Sequence, residues 1–290
     1  MLSVAIIQLS NYPLFLSFWV HNLDPVILQI WGPLAVRWYG LAYLLGFLGG
    51  YLLLLRMSRR GEFAVPPQEL GNFIVYLAIY GVFLGGRLGY VLLYAWDTFI
   101  QDPLFLLRVW EGGMASHGGI LGVILVVLCT VWKKKYNFWN ITDGLALVAP
   151  IGLFCGRVAN FVNGELWGRP TDVAWSVIFP QAEDPIPTPR HPSQIYEALG
   201  EGLFLFIALW LIRRTVWGKR NGSLSAAFLI LYAAARIASE CFREPDSTVY
   251  FGWLTKGQLY SAVMVVAAVV ISVNKRLWQR NEGLRKTSNP

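Results

Sequence analysis

Charge, histidine and cysteine are all scarce in this chain, and each shortage removes a class of function. Charged residues fill 14% of the 290 positions while 56% are apolar, and the mean hydropathy is +0.49. Soluble domains carry about 25% charged residues, so the composition excludes one and describes an integral membrane protein. The three histidines, His21, His117 and His191, occur without an HExxH motif, so no catalytic metal and no cofactor is expected. Cys129, Cys155 and Cys241 each stand in an apolar run without CxxC spacing, which argues against a disulfide framework or thiolate metal site and reads them as small core residues. There is no GxSxG elbow for a serine lipase, no Walker loop, and no internal repeat of the kind that builds inverted-repeat transporters.

What the chain does have is long apolar runs. Windows able to cross a hydrocarbon layer of about 30 Å lie near Pro33–Leu55, Asn72–Leu93, Ser116–Val131, Thr142–Val162, Gln194–Ile212, Leu224–Cys241 and Gly257–Val273. The expected fold is an all-α polytopic membrane protein with seven transmembrane helices and a small outward-facing cap. Residues 1–32 form an apolar N-terminal segment on the outward side. It lacks a basic n-region and a small-residue cleavage motif, so a cleaved signal peptide is not expected. Pro13 opposes an eighth span, and Tyr12 and Trp19 suit an interfacial helix or belt. Residues 33–274 are the seven-helix domain, including a proline-rich cap at about 166–193, and 275–290 form a basic cytoplasmic tail.

Lysine and arginine set the orientation. Arg56, Arg59 and Arg60 follow the first span, Lys133, Lys134 and Lys135 the third, and Arg213, Arg214, Lys219 and Arg220 the fifth, with Lys275, Arg276, Arg280, Arg285 and Lys286 in the tail. The other side has Arg108, Arg169, Arg190 and Lys256. The positive-inside rule therefore places the N-terminus outside and the C-terminus in the cytoplasm. The net charge of +7 is a topology signal, and no nucleic-acid partner is expected, since the basic loops lack interleaved stacking aromatics.

Against this apolar background Arg37, Arg87, Arg157, Arg236 and Arg243 lie within or at the edges of spans, with Asp143, Glu165, Glu197, Glu201 and Glu240 available as partners. An arginine at bilayer depth is costly unless paired or facing a wet cavity. Tyr232, Arg236 and Glu240 recur at four-residue steps and so share one helix face. The bland reading is a set of ion pairs that lock helices together. In that stripe Glu240 is placed to pair with Arg236; the sharper reading is an excess of outer-half cations near the outward loops, with Arg157 and Asn160 leading into Glu165 and Arg243 closing the sixth span, whose guanidinium forks match the oxygens of an anionic phosphodiester. That reading requires a lipid-sized hollow beside cations that are not sealed off by acids. Glycines at four-residue spacing (Gly81, Gly85, Gly89; Gly118, Gly122; Gly152, Gly156) serve either close helix packing or a bared backbone that lipid can approach. His117, in GGMASHGGILG, is either a satisfied core histidine or a proton acceptor in an opened backbone, and His191, beside Arg190 and near Glu197, either orients the cap or touches a headgroup.

The segment GRVANFVNGELWG, Gly156 to Gly168, strongly resembles the signature of bacterial prolipoprotein diacylglyceryl transferases. The resemblance extends in order through RWYGLAYLLGF, GVFLGGRLGYVLLY, RVWEGGMASHGGILG, RHPSQIYEALGEG and YAAARIASECFREPD. It implies a seven-span inner-membrane enzyme that moves the diacylglyceryl group of phosphatidylglycerol to the thiol of the lipobox cysteine in a prolipoprotein signal peptide, forming a thioether and releasing glycerol phosphate. Arg157 would be the arginine that binds phosphatidylglycerol, with Asn160, Glu165 and Gly168 completing its signature. Tyr232, Arg236 and Glu240 would form the essential sixth-helix cluster, His117 the histidine of the HGG block, and Tyr39 the tyrosine of the WYG block. His117, Arg157 and Arg236 are then the catalytic candidates. Arg157, Tyr39, Asn160, Glu165, Gly168, Tyr232, Glu240, Arg243, His191 and Glu197 are the substrate-binding candidates. Departures from the family pattern are the long leader before Asp24 and a compact cap between Trp167 and His191. A different class, a non-catalytic lipid carrier or small-anion transporter with the same arginine pocket, predicts movement without bond cleavage and has no need of the HGG, GRxxN and ARIxxE blocks together.

Overall fold

The computed structural model describes residues 6–7, 18–32, 34–244 and 256–273. Tyr12, Pro13 and the basic tail at 275–290 lie outside the described residues. Six helices are long and apolar enough to cross a membrane: α1 (Trp38–Arg59), α2 (Pro67–Tyr94), α3 (Ser116–Lys134), α4 (Phe138–Asn163), α5 (Ser193–Arg213) and α6 (Ser223–Glu240). A seventh, α7 (Lys256–Val273), is apolar and shorter. Helices answer the physical constraint directly, because lipid offers backbone N–H and C=O groups no partner and an α-helix satisfies them internally. Two of them widen into π-helical turns, at Leu77–Leu84 in α2 and Ala198–Phe204 in α5.

The chain divides into two compact units. The 51–145 unit holds the later part of α1, all of α2 and α3, and the start of α4. There α2 and α3 meet along glycines: a Cβ added at Gly89 would come within 3.0 Å of Gly118 N, and one at Gly85 within 2.6 Å of Gly118 O. Close packing is therefore the role of this stripe, Gly118 included. The glycine after His117 is pressed against α2 and does not open the backbone. Leu54, Leu70, Phe63 and Phe73 form buried ballast at the other end of the unit, where Asn140 accepts from Ala64 N–H at 2.6 Å.

The second unit comprises residues 1–50 and 146–290. Its apolar leader is extended where described, a correction to the interfacial helix considered from sequence. β1 (Ile6–Ile7), β2 (Phe18–Val20), β5 (Val177–Ile178) and β6 (Pro189–Arg190) form one sheet in that order. β2 runs parallel to β5, with Trp19 opposite Val177, so Phe18, Val20 and Ile178 share a small buried core. β3 (Val26–Trp31) and β4 (Leu34–Arg37) make a hairpin turned at Gly32, whose φ of 52° favours glycine. The first helix accordingly begins at Trp38 and not at Pro33. The residues before it, Leu34–Arg37, pair instead with VILQIW of β3, which is rich in the branched and aromatic side chains that suit a strand.

The cysteines also require correction. Cys129 and Cys241 are exposed and Cys155 is partly so. Where the surroundings are lipid, an outer helix face is as apolar as the interior, so an apolar neighbourhood in sequence does not imply burial.

Candidate active site

Within the unit formed by residues 1–50 and 146–290, three helices bring together charges that are far apart in sequence. α4 contributes Arg157, α5 contributes Glu197 and Glu201 one turn apart, and α6 contributes Arg236 and Glu240, with Arg243 just beyond its end. α4 and α5 approach closely because Gly202 has no side chain: a Cβ there would lie 2.6 Å from the Cβ of Phe154. At the start of α7, a Cβ on Gly257 would come within 3.2 Å of Arg236 Nε, so the cluster is packed on that side too.

Glu197 is the hub. Its carboxylate meets Arg157 at 2.7 Å, Arg236 at 3.2 Å and Arg243 at 3.0 Å. Glu201 meets Arg157 at 3.0 Å, and Glu240 takes Arg236 at 2.6 Å through the four-residue step on α6. Glu197 and Glu201 have no solvent exposure, whereas the side chains of Arg157 and Arg236 retain 17% and 15%. Tyr232 lies one turn before Arg236, its ring stacked on Phe228 at 5.7 Å. The expected excess of cations is thus corrected: among the described residues three arginines meet three glutamates. Partial exposure of two guanidiniums, beside fully enclosed acids, leaves the cations as the accessible side of the cluster.

The signature segment after Arg157 builds a turn. Asn160 Nδ2 donates to Glu165 Oε1 at 2.8 Å, Asn163 Nδ2 to the same oxygen at 3.3 Å, and Glu165 N–H to the Asn160 carbonyl at 3.1 Å. The chain reverses through left-handed conformations at Gly164 (φ 65°) and Leu166 (φ 59°). Gln194 Nε2 and Ser193 Oγ, at the start of α5, hold it by donating to the carbonyls of Glu165 at 2.7 Å and Leu166 at 3.0 Å. Gly168 then passes between strand and helix end: its N–H donates to His191 O at 2.9 Å, and a Cβ would sit 2.5 Å from Phe242 O and 2.7 Å from the Cβ of His191. Only glycine fits there.

His191 joins an aromatic group, its Nδ1 3.2 Å from Tyr196 Oη and its ring 5.2 Å from that of Phe242. Burial lowers its pKa below the usual 6.5. Arg190 does not pair with Glu197. It donates to Asp184 at 2.6 and 2.9 Å and to Glu244, which raises its own pKa and lowers that of Asp184 through the same hydrogen bonds. Tyr39 stands in the first turn of α1, its ring 5.4 Å from that of Tyr43.

The 51–145 unit carries the remaining candidates. His117, exposed on the first turn of α3, lines a hollow of about 360 Å³ with Tyr90, Tyr94, Met114, Ala115 and Ser116. Arg87 is buried and donates to backbone carbonyls of Leu106 at 3.0 Å, Arg108 at 3.0 Å and Gly113 at 3.2 Å, and to those of Phe105 and Gly112. It fixes the loop that leads to His117. Among the described residues no three His, Cys, Asp or Glu side chains converge as metal ligands. Sequence reasoning named Glu201 as a possible partner but left it out of the site. The signal was its spacing of four from Glu197, which puts both acids on one face of α5.

A multi-pass α-helical membrane protein with a largely enclosed arginine–glutamate cluster and a short four-stranded sheet is the class that fold and site define. The sequence profile of the prolipoprotein diacylglyceryl transferases matches residues 25–274, and the chain belongs to that family. It is 44% identical over 263 residues to the phosphatidylglycerol–prolipoprotein diacylglyceryl transferase of Mannheimia succiniciproducens, covering 89% of this chain and 94% of the relative. The enzyme of the same name from Rhodospirillum centenum is 47% identical over 259 residues, 87% of this chain and 91% of the relative. The one from Marinomonas sp. is 45% identical over 248 residues, 84% and 90% respectively.

Proposed function

We propose that this chain transfers the diacylglyceryl group of phosphatidylglycerol to the thiol of the lipobox cysteine in a prolipoprotein signal peptide. The thiolate sulfur attacks the glycerol carbon that bears the phosphate, and a thioether forms. The C–O bond breaks, its electron pair leaves with the phosphate, and glycerol phosphate departs. The observation that carries this reading is the pair of partly accessible guanidiniums, Arg157 and Arg236, held by enclosed carboxylates in a chain that matches the family over nearly its whole length.

Each residue then has a physical task. Arg157 and Arg236 meet the phosphate oxygens and stabilise the charge that accumulates there, most strongly where water is excluded. Glu197 and Glu240 aim them, and Arg243 closes the far side of Glu197. Tyr39, Tyr232 and Asn160 hold glycerol and ester oxygens, while Glu165 and Gly168 fix the turn behind Asn160. His191 steadies the cap near the headgroup. A thiol has a pKa of about 8.5 and only the thiolate attacks, so a base is needed, and His117 takes that proton. The enzyme is a multi-pass protein of the bacterial inner membrane with seven spans, N-terminus outside and C-terminus in the cytoplasm. Residues 1–32 lie on the outer surface, 166–193 cap the 33–274 domain, and 275–290 form the cytoplasmic tail.

The test mixes purified protein, phosphatidylglycerol and a lipobox peptide and reads peptide mass. Wild type adds the mass of a diacylglyceryl group. Arg157→Ala inserts normally but leaves the peptide unmodified, and His117→Gln lowers turnover by about a hundredfold or more, the contribution of a general base. Lipid movement without a mass change would mean a carrier, and full turnover by either variant would remove that residue's role.

A further inference from the structure

An anionic donor poses a charge problem for this cluster. Among the described residues, Arg157, Arg236 and Arg243 face Glu197, Glu201 and Glu240, three charges of each sign, before any lipid arrives. A phosphodiester would add an uncompensated negative charge to a buried site. Low-dielectric surroundings resolve such an excess by taking up a proton.

The three acids are not equally held. Glu197 contacts three arginines, and Glu240 is clasped by Arg236 from its own helix. Glu201 binds only Arg157 closely, through Oε2, from Nη2 at 3.0 Å and Nε at 3.3 Å. Its Oε1 accepts no hydrogen bond, Arg236 standing off at 3.6 Å, although the side chain is completely enclosed. The groups facing it are Arg157 from α4, Arg236 and Tyr232 from α6, and Glu197 one turn back on α5. Glu201 also sits in the π-helical stretch Ala198–Phe204, a backbone irregularity of the kind that accompanies functional sites.

We propose that Glu201 surrenders Arg157 to the donor phosphate and takes up one proton from water in exchange, so that this acid sets the charge of the lipid the site accepts. The inference rests on phosphatidylglycerol being the donor. The only covalent change is the O–H bond that forms on Glu201 as a solvent hydronium or buffer acid gives up its own. When glycerol phosphate leaves, the proton returns to water and the carboxylate pairs again with Arg157. Glu201 is a positioning residue that acts through Arg157.

The experiment measures proton uptake by calorimetry in two buffers of different ionisation enthalpy, as phosphatidylglycerol is added to full-length protein in phosphatidylcholine nanodiscs. About one proton per donor is expected for wild type and about none for Glu201→Gln. In parallel, the wild-type KM for phosphatidylglycerol rises by up to about tenfold per pH unit on the alkaline side. Glu201→Gln gives a lower KM without that slope, kcat changing less, and Glu201→Asp restores the slope. Zero uptake by wild type, which needs no variant to fold, or the same slope in Glu201→Gln, would overturn the exchange. Uptake that persists without peptide modification would sink the transferase reading and leave the exchange standing.

Discussion

His21 is almost entirely enclosed, and its surroundings fix its protonation state. Nε2 lies 2.7 Å from the Phe161 carbonyl and so carries the proton, while the buried Nδ1 has no acceptor beside it. The rings of Trp19, Phe161 and Phe179 pack around it at 5.4 to 5.7 Å. Burial lowers the pKa from 6.5, with the Phe161 bond opposing in part. The folded protein therefore binds this proton less readily than the unfolded chain. The stabilisation is complete above 6.5 and is lost as pH falls below it. Thermal unfolding of detergent-solubilised protein, followed between about pH 7.5 and pH 5, should show the midpoint falling in wild type. His21→Gln can still donate to Phe161 but does not titrate, so its profile should be flatter; an equal slope would assign the effect to other groups. Such a role was hidden in sequence, where His21 is one polar letter in an apolar leader. The buried arginines were legible because apolar surroundings make a guanidinium conspicuous. The Arg236–Glu240 pair was legible too, from its four-residue step on α6, but the pairings between helices were not, since they depend on how α4, α5 and α6 are rotated against one another.

Elements show the same division between what is local and what is not. Helices announce themselves as apolar runs, and the Gly81, Gly85, Gly89 series announces a close contact. The two-residue strand β5 does neither: it pairs with β2 across more than 150 residues of chain, and nothing in Val177 or Ile178 alone declares that partner. Arg87 illustrates how an element can redirect a residue whose type suggests lipid binding. From α2 its guanidinium reaches five carbonyls of the loop between Phe105 and Gly113. Hydrogen bonds from a charged donor each contribute about 1.5–3 kcal/mol, and removing the donor leaves carbonyls that need new partners. Arg87→Met should lower stability by about 3 kcal/mol or more, and protease cleavage within 102–113 should appear well before global unfolding. Protection of that loop equal to wild type would show that the helix does not need this staple.

On the scale of the whole molecule, the number of crossings decides where the chain ends. Six helices are plainly long enough, and six crossings would return the C-terminus to the side of the N-terminus. The eighteen residues of α7, rising about 1.5 Å each, give about 27 Å, close to the hydrocarbon thickness of about 30 Å. A slightly short helix is accommodated by modest bilayer thinning, so length permits a seventh crossing. Charge favours it. Three of the cations on the proposed outer side are engaged locally, Arg108 by Asp102 and Glu111, Arg190 by Asp184 and Glu244, and Arg169 by the Arg243 carbonyl at 2.9 Å. Lys133, Lys135, Arg59 and Arg60 stand exposed at the ends that the positive-inside rule assigns to the cytoplasm. Reporter fusions test the parity. Alkaline phosphatase, which is active only outside the cytoplasm, should be active when fused after Gln181 in the proposed cap and inactive after Pro290. A cytoplasmic fluorescent reporter at Pro290 should show the converse. Phosphatase activity at both positions would mean that α7 does not cross, and the proposed seven-span topology would be wrong while the buried cluster of α4, α5 and α6 stood unchanged.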